Sequence, residues 1–249
     1  MRPLAAATML LTRVPVPASA GTVAPARAAV LYPAVGAAIG AIVAGVAVGA
    51  GQLWPVLIAA TVAVAAETAL TGALHLDGLA DCADGLAGRD REHRLQIMKD
   101  HVIGVYAAAT LALHLLMKVA ALSTLLAALR PLDLLLLLIG GYAASRGAML
   151  PLARFLPYAR AEGTGRGVVQ ELSTRQTVTG LALALGALAA VVPVHLCTAL
   201  LMALAAAMVT LAVGVLAHRR IGGVTGDVLG ACAELTLVVM LLAGVASLT

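Results

Sequence analysis

Three aspartates lie within eight residues of a chain that is otherwise strongly apolar: Asp77, Asp81 and Asp84, in the segment HLDGLADCADGLAGR (75–89). If this segment is helical, their spacing places all three carboxylates on one face. Carboxylates so close together repel one another unless something neutralises them, and their oxygens are the ligands that Mg²⁺ prefers. The segment therefore predicts a metal-dependent site for a phosphate-bearing substrate, and the alternative is a solvated acidic turn between two helices.

A second carboxylate pair follows a glycine-rich turn near the end of the chain, in GGVTGDVLGACAE (222–234). A helix that begins at this turn would leave free backbone amides near Thr225 and Gly226, an arrangement suited to phosphate. Asp227 and Glu234 are two helical turns apart, so both are expected to point into the bundle and Asp227 is a candidate metal ligand. The same residue types are also typical of a helix cap, and both interpretations stay open.

Glu67 and Arg146 are among the ionisable residues that fall inside long apolar stretches, as is Lys118. An ionisable group at such a depth in a membrane costs about 3 kcal/mol on insertion scales, so each is expected to be paired or functional. Glu67 is a candidate metal ligand. Arg146 is a candidate contact for substrate phosphate or a member of a structural ion pair.

Other polar residues are candidates for substrate binding and catalysis. Lys99 is interpreted as a phosphate contact beside Asp100, a further metal ligand or general base. His75 begins the aspartate segment and is a candidate base or ligand. Arg160 and Arg166 stand among glycines, which is typical of a mobile substrate loop or of a simple solvated loop, and Arg166 is taken as the phosphate contact.

The composition indicates an integral membrane protein. Hydrophobic residues make up 62% of 249 residues and charged residues 11%, with a mean hydropathy of +1.03; soluble domains carry roughly 25% charged residues. The lipid bilayer is therefore an expected partner, and nucleic acid is not, because no basic run is interleaved with aromatic residues. A span needs roughly 20 apolar residues as helix. Seven stretches qualify: 31–50, 54–74, 102–128, 132–151, 178–194, 196–217 and 228–247.

Charge placement predicts how these spans are oriented. Thirteen of the sixteen Lys and Arg residues fall on one side of the seven-span arrangement, and the loops of the other side hold only Arg130. Because basic residues concentrate in cytoplasmic loops, the amino terminus is predicted to be cytoplasmic. The polar clusters lie on the same side. The sequence thus predicts an all-α, polytopic membrane helix bundle, one integral membrane domain over 1–249, with its active site at the cytoplasmic face.

The chain resembles the cobalamin synthase family, the adenosylcobinamide-GDP ribazoletransferases of bacteria and archaea. Its segments match that family's pattern in order along nearly the whole sequence. These segments are LTRVPVP (11–17), YPAVG (32–36), GALHLDGLADCADGL (72–86), IMKDHVIG (97–104), Ser145-Arg146, the 158–165 loop, Arg175-Gln176-Thr177 and GGVTGDVLGA (222–231). The chain departs from the pattern after Gly104, where Val105-Tyr106-Ala107 stand and the family often has a further glycine.

The resemblance implies a late step of cobalamin biosynthesis at the bacterial cytoplasmic (inner) membrane. The family transfers the adenosylcobinamide phosphate moiety of adenosylcobinamide-GDP to α-ribazole or α-ribazole 5′-phosphate and releases GMP, with Mg²⁺ as cofactor. The substrates are thus the implied small-molecule partners, and a second copy of the chain or other cobalamin-assembly enzymes are the candidate protein partners. In that reaction Asp77, Asp81 and Asp84 are expected to bind metal, with Asp100 and Asp227 as further ligands or, for one of them, the base.

Two other functions share some of these features. The stretch DCADGLAGR (81–89) is similar to the first half of the CDP-alcohol phosphotransferase signature, with Gly88 where that family has Ala, but the second half is not found at the expected spacing. A phospholipid-making enzyme of that kind is therefore the nearest alternative. An ion-coupled transporter would also place charged residues inside spans, although its site is expected near the membrane midplane.

Overall fold

The computed structural model describes residues 2–100, 102–192 and 195–248, and within these ranges the chain forms thirteen α-helices. A short 3-10 segment, Ala18–Thr22, precedes the second of them. The helices are α1 (Arg2–Leu11), α2 (Pro25–Ala29), α3 (Tyr32–Gly51), α4 (Val56–Thr71), α5 (Leu74–Gly85), α6 (Arg91–Ile97), α7 (Val105–Ala128), α8 (Pro131–Gly147), α9 (Met149–Phe155), α10 (Arg166–Glu171), α11 (Thr174–Ala189), α12 (Leu196–Ile221) and α13 (Gly226–Ala246).

The prediction of a polytopic membrane helix bundle is confirmed. Within the described ranges, five segments are long and apolar enough to cross a membrane: α3, α7, α8 with α9, α12 and α13. The pair α4 and α5 would form a sixth, bent by 90° at its break. Each of the seven predicted stretches coincides with a helix, but 178–194 corresponds to the 16-residue α11. Its last two positions, 193 and 194, lie outside the described residues.

The centre of the bundle is formed by α8 with α9 and by α13. Over their most apolar 18 residues these segments are 78% and 72% buried, whereas α7 is 28% and α12 is 22% buried. Helix α3 packs closely along α8, because Gly36 and Gly40 bring its backbone against the carbonyl groups of Tyr142 and Leu138. A side chain at either glycine would collide with that backbone. This is the small-residue contact by which membrane helices associate.

A sharp bend between α4 and α5 turns the aspartate segment across the bundle. Gly72 and Ala73 both adopt left-handed backbone conformations, with φ of 62° and 57°, and α5 then leaves α4 at 90°. It lies against α13, where a Cβ on Gly78 would come within 2.8 Å of the Asp227 carbonyl oxygen. The absence of that Cβ allows the acid-bearing turns of α5 and α13 to meet.

We expect Ala73→Gly to raise the melting temperature, or at least not lower it. A non-glycine residue in the left-handed region costs roughly 1–2 kcal/mol, which glycine avoids. The matched control is Ala65→Gly, at an exposed position within α4, where glycine should cost about 1 kcal/mol. Thermal unfolding of both variants in detergent checks this. Equal destabilisation would show that the bend does not need its left-handed residue.

Candidate functional site

Acidic and basic side chains from four parts of the chain line one cavity of about 470 Å³. They come from α5, from the loop after α6, from the loop after α9 and from the first turn of α13. The charged lining residues are Asp77, Asp81, Asp84, Lys99, Asp100, Arg160 and Asp227. The cavity thus brings together five of the acids that the sequence singles out as candidates.

The aspartate segment is a helix and not an acidic turn, since α5 covers Leu74–Gly85. The predicted spacing therefore holds, and all three aspartates line the same cavity. The carboxylates of Asp77 and Asp81 make no hydrogen bond or ion pair with any residue that the structure describes. The strongest charged neighbours of Asp81 are Asp227 and Asp77, followed by Arg160. These carboxylates repel one another and are free to bind a cation.

Asp84 has a structural role that the sequence did not reveal. Its two carboxylate oxygens accept hydrogen bonds from the backbone N–H groups of Gly104 (2.6 Å) and Ala107 (2.9 Å). Gly104 is the residue before α7, so Asp84 caps that helix at the point where the chain departs from the family pattern. A carboxylate oxygen has two lone pairs, so this cap is compatible with a metal contact.

Asp227 stands in the first turn of α13, and this turn is a helix cap that also places Asp227 in the lining of the cavity. The Thr225 hydroxyl accepts a hydrogen bond from Val228 N–H (3.3 Å) and therefore caps the helix. It also donates to Asp227 Oδ2 at 3.1 Å. Arg160 Nη1 lies 2.7 Å from the same oxygen, and Arg160 Nη2 donates to the Met98 carbonyl at 3.1 Å. The cap orients Asp227 while Asp227 faces the cavity.

The loop that carries Arg160 is held by backbone contacts. Ala159 N–H donates to the Val224 carbonyl at 2.8 Å, and Tyr158 forms an isolated parallel bridge with Val224. Arg91 Nη2 donates to the Ala159 carbonyl at 3.1 Å. Burial raises the pKa of the Tyr158 phenol above its usual value, so it stays neutral at physiological pH. The sequence offered two arginines among glycines, and only the tertiary contacts place Arg160 in the cavity.

Lys99 and Asp100 follow α6 and complete the mouth of the cavity. Both side chains are exposed and both line it. Asp100 Oδ1 also accepts a hydrogen bond from Val102 N–H at 3.2 Å, which orders this turn. The exposed ammonium of Lys99 is therefore available to an anion entering the cavity.

Arg146 and Glu67 do not reach the cavity. Arg146 is fully buried, with Nη2 4.0 Å from Glu67 Oε1. Lys118 Nζ lies 2.8 Å from Glu67 Oε1 and 3.0 Å from Glu234 Oε2, and His114 lies 3.0 Å from the same Glu234 oxygen. These buried contacts correspond to the structural ion pair that the sequence allowed. They correct the assignments of Glu67 as a metal ligand and of Arg146 as a phosphate contact.

Arg166 is also placed away from the cavity, since its exposed side chain donates to the Ala161 carbonyl within its own loop. His75 and Gly226 line a second, smaller cavity that shares Asp77 and Asp227 with the first. The candidate substrate-binding residues are therefore divided among two adjoining cavities, the buried core and an exposed loop.

The chemistry of the donors fits Mg²⁺. Oxygen ligands from carboxylates suit this hard cation, which usually keeps several of its waters and takes one or two protein carboxylates. Asp77 and Asp81 offer carboxylates without partners, and Asp227 lines the same cavity. Within the described residues, no three His, Cys, Asp or Glu side chains already stand in an arrangement that could hold a metal ion. A bound ion would thus rely on few protein ligands and on the substrate's own oxygens.

Comparisons with known proteins agree on one family. The sequence profile of the cobalamin-5-phosphate synthase family matches residues 3–245. Among relatives named adenosylcobinamide-GDP ribazoletransferase, the protein of Azorhizobium caulinodans is 42% identical over 95% of this chain and 92% of its own length. That of Chlorobium phaeobacteroides is 38% identical over 98% of both chains, and that of Citrobacter koseri 39% over 87% of both. No solved structure matches the chain.

The different surroundings of the α5 acids predict different effects on stability. Asp84→Asn should lower the free energy of unfolding by about 1–2 kcal/mol, because it weakens two charge-assisted hydrogen bonds at a helix start. Asp81→Asn should leave the free energy of unfolding unchanged or raise it slightly, because this substitution removes repulsion between carboxylates and breaks no hydrogen bond. Unfolding of both variants in Mg²⁺-free detergent solution is the measurement. A larger loss for Asp81→Asn would contradict this division of roles.

Proposed function

This chain belongs to the cobalamin-5-phosphate synthase family, and from that premise we propose that it is an adenosylcobinamide-GDP ribazoletransferase. It would transfer the adenosylcobinamide phosphate moiety to α-ribazole or α-ribazole 5′-phosphate and release GMP. The observation that carries the proposal is the cavity where acids of α5 and α13 meet Lys99 and Arg160. A diphosphate substrate requires acids that hold a metal ion and basic side chains that contact its phosphate oxygens.

The reaction exchanges one phosphorus–oxygen bond for another. A ribose hydroxyl oxygen of the acceptor attacks the phosphorus on the cobinamide side of the diphosphate. The bond between that phosphorus and the bridging oxygen breaks, and the bridging oxygen leaves with GMP. The hydroxyl proton passes to a base, and the product is a phosphodiester. No oxidant or further reactant is needed.

The residues of the cavity divide this task between anion binding and proton transfer. Lys99 and Arg160 contact the phosphate oxygens, and the Arg160 guanidinium is already oriented by Asp227 at 2.7 Å. A carboxylate at the junction of the two cavities, Asp77 or Asp227, accepts the hydroxyl proton. Asp81 and the other of these two acids would hold Mg²⁺, which would neutralise the charge that develops on the phosphate oxygens.

The site is proposed to open at the cytoplasmic face of the bacterial inner membrane. Its acids lie at the start of α13 and on α5, which turns across the bundle, and the basic residues Arg91, Arg94 and Arg219 lie on the same side of the seven-span arrangement. The bulky corrinoid would stay outside the cavity, near the lipid headgroups, while its phosphate end enters. The positive-inside rule gives this orientation its physical basis.

The two alternative functions lack support from the geometry. A coupled transporter needs ion sites near the membrane midplane, yet the charges inside the spans, such as Lys118 and Glu67, are bound to each other. A CDP-alcohol phosphotransferase signature would extend through Arg89, but Arg89 is exposed and lies 3.5 Å from Asp90, outside the cavity. Supplying CDP-alcohols beside adenosylcobinamide-GDP separates the two enzymatic functions directly.

We expect Asp81→Asn to reduce GMP release at least about a hundredfold, because it removes charge that stabilises the transition state through the metal. GMP release by purified protein, with adenosylcobinamide-GDP and α-ribazole at saturation, is the measurement. Glu171→Gln is the matched control, since Glu171 is exposed and outside the cavity, and it should keep wild-type activity.

The same assay tests whether turnover depends on a divalent metal ion. Chelation of divalent cations should abolish turnover, and added Mg²⁺ should restore it in the wild-type protein. Near-wild-type turnover by Asp81→Asn, or full activity after chelation, would overturn the metal assignment. Failure of the wild-type protein to release GMP under all conditions would overturn the proposed function.

Orientation is tested separately with single cysteines placed in a background that lacks Cys82, Cys197 and Cys232. An impermeant thiol reagent should label Arg130→Cys in intact cells, because that loop is predicted to be outside. It should label Arg166→Cys and Arg219→Cys only after the membrane is opened. Labelling of all three from the same side would contradict the proposed orientation.

A further inference from the structure

A second cavity of about 150 Å³ adjoins the polar one and differs from it in character. Asp77 and Asp227 line both cavities and therefore mark their junction. No Lys or Arg among the described residues lines the smaller cavity. Most of its other walls are apolar side chains: Leu10, Leu11, Pro25, Leu74, Met149, Val168 and Leu229.

Two buried polar side chains in this smaller cavity have no partners. His75 and Tyr32 are each 5% exposed, and neither makes a hydrogen bond with a residue that the structure describes. Of the two ring nitrogens of His75, only Nδ1 is sealed from solvent, so Nε2 is the one that the cavity can reach. A buried polar group without a hydrogen-bond partner is destabilising, and a bound molecule that supplies the partner removes that cost.

Segments that are far apart in the sequence converge on this cavity. The start of the LTRVPVP segment supplies Leu11, YPAVG supplies Tyr32, the aspartate segment supplies His75, and the TGD turn supplies Gly226. The glycine-rich loop adds Thr164, whose hydroxyl lies near Gly226. Each of these segments is among those through which the chain resembles the cobalamin synthase family. Their convergence indicates a binding site and not a packing defect.

We propose that the smaller cavity is the acceptor subsite, where the aromatic base of an uncharged nucleoside binds while its ribose lies at the junction with the larger cavity. This inference rests on the proposed function. The apolar walls remove a flat, neutral base from water, and His75 Nε2 and the Tyr32 hydroxyl bind its polar ring or sugar atoms. The anionic diphosphate occupies the larger cavity with Lys99 and Arg160. The attacking ribose hydroxyl then lies at the junction, within reach of Asp77 and Asp227.

This arrangement assigns the two substrates to opposite sides of the shared acids. The hydroxyl oxygen forms its new bond to phosphorus from the smaller cavity, while the bridging oxygen departs with GMP on the side of the larger one. Attack and departure from opposite sides is the in-line geometry that phosphoryl transfer requires. The smaller cavity, which no described Lys or Arg lines, thus suits an uncharged acceptor, and Lys99 and Arg160 of the larger one suit the anionic donor.

Two variants test the acceptor subsite through the separate KM values of the two substrates. Tyr32→Phe removes only a hydroxyl and should raise the KM for α-ribazole about fivefold, the loss of one hydrogen bond. Val168→Phe narrows the cavity and should raise the KM for α-ribazole at least about tenfold. The KM for adenosylcobinamide-GDP should stay within twofold of wild type in both.

The matched comparison is Lys99→Ala in the larger cavity, which should show the reverse pattern, with a raised KM for adenosylcobinamide-GDP only. A direct binding measurement guards against a misfolded Val168→Phe. Radiolabelled α-ribazole should bind purified wild-type protein without the donor, and Tyr32→Phe should bind it more weakly.

The outcomes separate the inference from the function on which it rests. If wild-type protein releases GMP but neither variant changes the KM for α-ribazole, or both raise the two KM values equally, the subsite is overturned and the function stands. If wild-type protein neither releases GMP nor binds α-ribazole, both are overturned. Selective loss of acceptor affinity supports the subsite.

Discussion

The structure depends on the neutralisation of charge inside an apolar bundle. Lys118 of α7 lies between Glu67 of α4 and Glu234 of α13 at 2.8 and 3.0 Å, and Arg146 of α8 approaches Glu67. Removing one partner of such a buried group leaves an unpaired charge and costs about 3–5 kcal/mol. These contacts therefore fix how four helices stand relative to one another. The positions of the helix ends, and hence of the site, follow from that register.

Two of the site acids have no such partners. Asp77 and Asp81 lie at the end of the bundle where the bend after α4 carries α5 across α13, and their carboxylates have no partner among the described residues. Asp227 meets them because Gly78 lets the two backbones approach. Paired charges thus stabilise the bundle, whereas the unpaired carboxylates of Asp77 and Asp81 are available to the cation that we propose. The same residue types serve both purposes, and their surroundings decide which.

Much of this arrangement follows from local sequence patterns. Composition and apolar length predict the spans, and the spacing of Asp77, Asp81 and Asp84 predicts their common helical face. Local patterns could not predict which residues of distant segments contact one another, and some site assignments depend on such contacts. Glu67 and Arg146 were candidates for the site because burial alone implies a function or a partner, and the structure supplies the partner. The sequence is also compatible with Arg160 as a solvated loop residue. The contacts of its loop with Val224 place it in the cavity.

Local sequence patterns are enough to predict a membrane helix bundle, to recognise the family and to find the acids in a few short segments. Those properties depend on hydrophobicity, helical periodicity and motif, which are all local. The folded chain is needed to see that Asp84 caps α7 and that Asp77 and Asp227 line two cavities of different polarity. These facts depend on the 90° bend at Gly72 and Ala73 and on the close crossing of α5 and α13. No local pattern specifies where two helices distant in sequence cross, because that is set by the packing of the whole bundle.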